Sequence, residues 1–299
     1  MPASPTALFV GGTSGIGQST LEAFAANTQS PFIIVVGRSK NAGEAILKNL
    51  RESINPKGRY EFISSPDLSL LAEVDRVCGD VKELLGQGKN LDFICLEALM
   101  SIRYYARMRF LQQLLPLHPK HVLSVGAGTK EKPMIMSDLP LLDPKNYSVM
   151  NNAANSTTMT SLSLEHLAKE YPKTAFVHAY PGIVKTPALF GRDFGWIMQF
   201  LLTWILVPLS TPFCTDVGEA GQLGLFYLTS KRYASLEGQD GVELVPGVKK
   251  AEGEGAYLVN ETGETGAGPI MKEYRREGMG NKIWDHTLEM FEKVERKTL

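Results

Sequence analysis

Short apolar runs recur along the chain, each followed by a longer stretch in which apolar residues return every three or four positions. The first run, Ala7-Leu8-Phe9-Val10, ends in Gly11-Gly12-Thr13-Ser14-Gly15-Ile16-Gly17. Ile16, Leu21, Phe24 and Ala25 then mark one face of a helix. Further strand-like runs are Phe32–Val36, Tyr60–Ser64, Leu91–Leu96, His121–Gly126 and Thr174–Tyr180, with a last one at Gly255–Val259. Helical periodicity falls between them, as at Ser69–Leu85, Arg103–Leu115 and Met150–Tyr171. A tail at about 281–298 is also helical, with Ile283, Trp284, Leu288, Phe291 and Val294 on one side. Continuous rather than alternating apolar strands, separated by helices, predict βαβ crossovers and a parallel sheet covered on both faces. The expected fold class is therefore α/β, a doubly wound parallel sheet in one domain over residues 1–299.

Composition narrows the picture. Hydrophobic residues make up 43% of the 299, enough for a full core. A net charge of −1 argues against a nucleic-acid partner. Cys78, Cys95 and Cys214 lie far apart without metal-ligand spacing and read as core or free thiols. The N-terminal residues lack a basic segment followed by an apolar one, so a cytoplasmic location is expected. One segment complicates this. From Phe194 to Thr215 no residue is charged, and three tryptophan and phenylalanine side chains, Phe194, Trp196 and Phe200, open a strongly apolar run. Gln199, Thr203, Pro208 and Pro212 interrupt it and argue against a membrane span. It reads as a hydrophobic lid at about 190–215, as a homodimer contact, or as a membrane-surface contact through Phe194 to Leu209.

The glycine loop carries the first chemistry. Gly11 permits a sharp turn out of the strand, Gly15 lets backbone approach a pyrophosphate, and Gly17 lets the helix lie close to the strand. Thr13, Ser14 and the amide of Ile16 add phosphate-binding groups at a helix N-terminus. The second strand ends Gly37-Arg38-Ser39-Lys40. An acid there would hold a ribose 2′-hydroxyl, whereas Arg38, with Ser39 beside it, suits a 2′-phosphate. NADP(H) is the expected cofactor.

With these residues in hand, the chain resembles the short-chain dehydrogenase/reductase family over nearly its whole length. The Gly11-x-x-x-Gly15-Ile16-Gly17 spacing matches that family's loop. Asp67-Leu68 matches its adenine-contacting acid, and Pro181-Gly182-Ile183-Val184-Lys185-Thr186 matches the segment at the nicotinamide carboxamide. Tyr147 stands where the family keeps its catalytic tyrosine. The stretches Tyr104–Phe110 and Gly278–Trp284 look like fungal members, some tied to natural-product pathways. The resemblance implies a Rossmann-type fold and an NADP(H)-dependent oxidoreductase acting on a hydrophobic small molecule of the secondary-metabolite kind. The alternative it leaves open is a non-redox catalyst, such as a cyclase or isomerase, or an inactive cofactor-binding protein.

The chain departs from the family's catalytic set. Asn151 stands four residues after Tyr147 in place of a lysine. The expected serine aligns near Ala127, three residues after Ser124, and the fourth strand leads into Glu97-Ala98-Leu99 in place of Asn-Asn-Ala. Arg103, near the family's helical asparagine, either supplies the missing positive charge or is a solvated helix-start residue. Glu97 is either an acid with a raised pKa or a partner of Arg103. Asp138 and Asp143 read as solvated loop carboxylates, and His178 as a core histidine. Tyr227-x-x-x-Lys231 repeats the catalytic spacing by coincidence, its lysine favouring a helix end.

Overall fold

The structure is a computed structural model that describes residues 2–97, 104–184, 214–238, 246–247 and 254–298. Strands β1 (Thr6–Val10), β2 (Phe32–Gly37), β3 (Arg59–Ser64), β4 (Phe93–Glu97), β5 (His121–Val125), β6 (Ala175–Ala179) and β7 (Ala256–Val259) form one parallel sheet. Their order is β3-β2-β1-β4-β5-β6-β7. Leu8 lies beside both Ile34 and Ile94, and Val10 beside Val36 and Leu96. These side chains share one core, while Ala7, Phe9, Ile33, Val35, Phe93 and Cys95 point into the other. A strand's period of two thus divides each apolar run between two helical layers. This is the doubly wound, Rossmann-type sheet.

One layer packs α1 (Gly15–Ala26), α2 (Lys40–Asn49) and α6 (Val217–Thr229) on the sheet. α1 and α6 touch through small residues. A Cβ on Gly221 would strike Ser19, and one on Gly224 would strike Thr20. The other layer holds α3 (Leu71–Leu85), α4 (Tyr105–Leu114), α5 (Val149–Glu170), α7 (Ile270–Arg276) and α8 (Met279–Thr298). The pattern of apolar residues did not pick out α2 or α7. In α2 only Gly43, Ile46 and Leu47 are buried, too few for a periodic stripe, and its start depends on Ser39, whose hydroxyl accepts the Ala42 N–H at 3.2 Å.

α8 lies across α4 and α5. The Tyr104 hydroxyl meets Ser163 Oγ at 2.7 Å and Thr287 Oγ1 at 2.6 Å. Arg109, nearly buried, pairs with Asp75 and with Glu295, each at 2.6 Å, and its guanidinium sits 5.2 Å from the Phe291 ring centre. His166 stacks on Trp284. Arg103, Thr186, the apolar segment Phe194 to Leu209 and nearly all of the expected lid lie outside the described residues. Among the described residues no helix is long and apolar enough to cross a membrane.

Because α8 is part of the core, Phe291→Ala should cost about 3–5 kcal/mol in urea unfolding. A loss under about 0.5 kcal/mol, typical of a surface change, would show α8 to be an appendage.

Candidate cofactor and catalytic site

β1 and β4 are the neighbours at which the strand order reverses, so their carboxyl ends open a crevice. The glycine loop stands there. Gly11 and Gly15 have φ of 90° and 60°, in the region that favours glycine. A Cβ on Gly17 would lie 2.6 Å from the Gly11 carbonyl oxygen. That lack of a side chain brings the start of α1 down onto the end of β1. Ser14 caps α1 in extended geometry but makes no side-chain bond to it, and the first turn holds no acid. The helix therefore offers amide donors and positive dipole to an anion, and the cradle fits a pyrophosphate.

The loop also reaches the end of β2. A Cβ on Gly37 would lie 2.6 Å from Thr13 Cγ2, so the two turns are in contact. Arg38 follows, exposed, and faces Asp67 at the end of β3. Hydrogen bonds from Ser69, supported by the charge of Arg38, hold the Asp67 carboxyl below its ordinary range. Leu68 is buried beneath them. Ser39 is spent on capping α2.

Glu97 ends β4 on the far side of the crevice from β2. Its Oε2 is buried and has no hydrogen-bond partner among the described residues. It lies 2.9 Å from where a Cβ of Gly17 would stand. Burial pushes the carboxyl up to about 8, against the opposing pull of the Gly17 amide and of Arg107. Arg107 is the cation placed near it among the described residues, and Arg103 lies outside them. Arg107 is 5% exposed and donates to Ser124 Oγ at 2.6 Å. The sequence carried a signal for this: Tyr104, Arg107, Met108 and Leu111 fall on one helical face, so Arg107 interrupts an apolar stripe.

Ser124 is fully buried in β5 and engaged by Arg107, so it is no free hydroxyl at the crevice. The loop after β5 is held down by a buried chain. Ala127 N–H donates to His178 Nε2 at 3.3 Å, which leaves the proton on Nδ1, 2.9 Å from Ser161 Oγ. Ser161 donates to Glu131 Oε1 at 2.7 Å, and Glu131 also accepts the amides of Thr129 and Gly268. A Cβ on Gly128 would run into the His178 carbonyl. His178 is thus the core histidine expected, and its role is to pin this loop.

Tyr147 precedes Ser148, the N-cap of α5, and is 57% exposed. Its hydroxyl makes no hydrogen bond with a described residue. Asn151 serves the turn before it: its side chain donates to Asn146 O at 2.8 Å, and its N–H donates to Ser148 Oγ at 3.0 Å. Asp138 is still reached by solvent, as expected of a loop carboxylate, but it also has a structural role. It accepts the amides of Leu142 and Asp143 and the Asn146 side chain, which hold its pKa down and fix the turn that presents Tyr147. Beyond β6, Gly182 has φ 76° and Ile183 is 49% exposed. Next to Pro181-Gly182, Val184 bridges Thr215. Tyr227 is buried against Tyr233, and Lys231 falls past the end of α6, so the expected charge at that helix end is not made.

An oxidoreductase of Emericella nidulans, AN1596, is 38% identical to the chain over 94% of the chain and 91% of that protein. The short-chain dehydrogenase/reductase SAT2 of Stachybotrys chartarum is 28% identical, over 98% of the chain and 94% of that protein. The chain belongs to the short-chain dehydrogenase/reductase family. As a member it is an oxidoreductase. No protein-family model matches it. The fold is also that of L-sorbose reductase from Gluconobacter frateurii, solved with NADPH and L-sorbose, at a TM-score of 0.55 and 17% identity over 76% of the chain and 90% of that one.

Burial, with the charge of Arg107 behind it, depresses His178 to about 3. A neutral native histidine with an ordinary unfolded pKa stabilises fully above about pH 6.5 and loses that stability as the pH falls toward 3. From pH 7 to pH 4.5 the loss should be on the order of 2–3 kcal/mol. His178→Gln should be less stable at pH 7 but lose less on acidification, by urea midpoints at both values. Equal acid sensitivity in the two proteins would place the titrating group elsewhere.

Proposed function

We propose that the protein is an NADP(H)-dependent oxidoreductase that reduces a hydrophobic small molecule at the carboxyl ends of β1, β4 and β5. The observation that carries this reading is Arg38. It stands where β2 meets the glycine loop, with Thr13 and Gly37 in contact behind it, and the turn Gly37-Arg38-Ser39-Lys40 contains no acid. A guanidinium on that turn complements a 2′-phosphate and gives a bare 2′-hydroxyl no acceptor. Gly11, Thr13, Ser14, Gly15, Ile16 and Gly17 would hold the pyrophosphate, Asp67 and Leu68 the adenine side, and Pro181, Gly182 and Ile183 the nicotinamide side. When bound, the cofactor supplies hydride.

The chain's own contribution is placement together with one exposed phenol. Tyr147 stands free at the start of α5, able to bond or protonate a substrate oxygen. Asn151 carries no charge, and position 127 no hydroxyl. Such a site favours a substrate that is itself electrophilic, an activated double bond, an imine or a conjugated carbonyl, since positioning alone lowers the barrier to hydride transfer. The uncharged run Phe194 to Thr215 supports an apolar substrate.

Arg38→Ala should weaken NADPH binding about ten- to a hundredfold, the scale of a charge-assisted hydrogen bond, and leave NADH binding within about twofold. Fluorescence titration of both coenzymes reads this. Equal weakening would remove the 2′-phosphate role. Tyr147→Phe should lower kcat on the order of a hundredfold or more if the phenol gives a proton in the rate-limiting step. An unchanged kcat would retire it as a catalytic group, and product formed without NADPH consumption would contradict the redox reading altogether.

A further inference from the structure

Glu97 is the one acid built into the floor of the anion cradle among the described residues. It hangs from the end of β4 at the switch point, and its Oε2 is sealed from water without a hydrogen-bond partner among the described residues. The atom stands within van der Waals reach of Gly17, in the first turn of the helix whose amides face the crevice. A carboxylate here would compete with a phosphate for the same positive helix end. A neutral carboxyl would not, and it would bring a hydrogen-bond donor to the cradle.

Among the described residues, the elements packed on Glu97 leave this balance one-sided. Across the sheet, β5 offers Val125 opposite it, which is apolar. From α1 comes only the Gly17 amide, and from α4 comes Arg107, committed to Ser124. On β4 itself the nearest titratable group is Cys95, whose thiol burial and Glu97 raise well above its ordinary range, so it stays protonated. Arg107 is thus the one charged side chain that bears on the carboxyl among the described residues, and burial outweighs it.

We propose that Glu97 is a proton-linked gate on the coenzyme loop: the dinucleotide binds the form in which the Glu97 carboxyl is protonated, so binding draws one proton from solvent wherever the free protein is ionised. This rests on the dinucleotide reading of the glycine loop. The carboxyl titrates near neutrality and not in the usual acid range, which places the gate inside a working pH range. Ionisation of the free site then weakens binding progressively on the alkaline side.

The test is NADPH binding to the full chain, followed by nicotinamide fluorescence from pH 7 to pH 9. The dissociation constant should rise by about tenfold over that range, the limit for one site near pH 8. In Glu97→Gln, neutral at every pH and close in shape, the rise should flatten to about twofold or less. Calorimetry of the unaltered protein at pH 9 in two buffers of different ionisation enthalpy should show close to one proton taken up per NADPH, which holds the test even if the variant folds poorly. The same pH profile in both proteins, or no proton uptake, overturns the gate while leaving the coenzyme site intact. No binding of NADPH by either protein at any pH would instead bring down the coenzyme reading, and the gate with it.

Discussion

The close approach of one helix to one strand end governs this molecule. Gly17 has no Cβ, so α1 settles against the Gly11 carbonyl and its first amides open into the crevice between β1 and β4. The rest of the fold supports that approach. α6 presses α1 from behind through Gly221 and Gly224. Val10, locked between Val36 and Leu96, fixes the height at which the loop leaves the sheet. A single methyl group on Gly17 would push apart the helix, the strand and the Glu97 carboxyl at once.

Two buried polar groups set the chemistry around this cradle. One, His178, is fully satisfied: a chain from Ala127 through Ser161 to Glu131 fixes its tautomer and holds the loop after β5. The other, the Glu97 carboxyl, has an oxygen without a hydrogen-bond partner among the described residues. A satisfied group rigidifies, whereas an unsatisfied one carries a cost that a ligand or a proton can relieve. The contrast separates scaffold from site more sharply than sequence position does.

Much of this was legible in the amino-acid sequence, because the signals were local. Apolar runs and glycine spacing located the strands of the sheet and the glycine turn between β1 and α1, since a parallel strand must be apolar on both faces and a helix meeting a strand end needs glycine. What escaped was non-local. Arg107 interrupts the apolar face of α4, but only packing shows that this cation is buried and donates to Ser124. Asp138 looked solvated, and only the fold shows three donors converging on it. α2 went unseen because a helix held mainly by a cap and three buried residues leaves no stripe to find. The place of α8 across α4 and α5 also depends on contacts between residues far apart in the chain, such as Tyr104 with Thr287.

The proposed function stands or falls with binding of a phosphorylated nicotinamide dinucleotide at the first strand-to-helix junction. Equilibrium titration of the unaltered protein with NADPH and with NADH, side by side at pH 7, tests it most directly. Both coenzymes should bind saturably, with NADPH tighter by at least an order of magnitude. Absence of saturation with either coenzyme, carried to millimolar concentration, would contradict it and leave the cradle without its ligand.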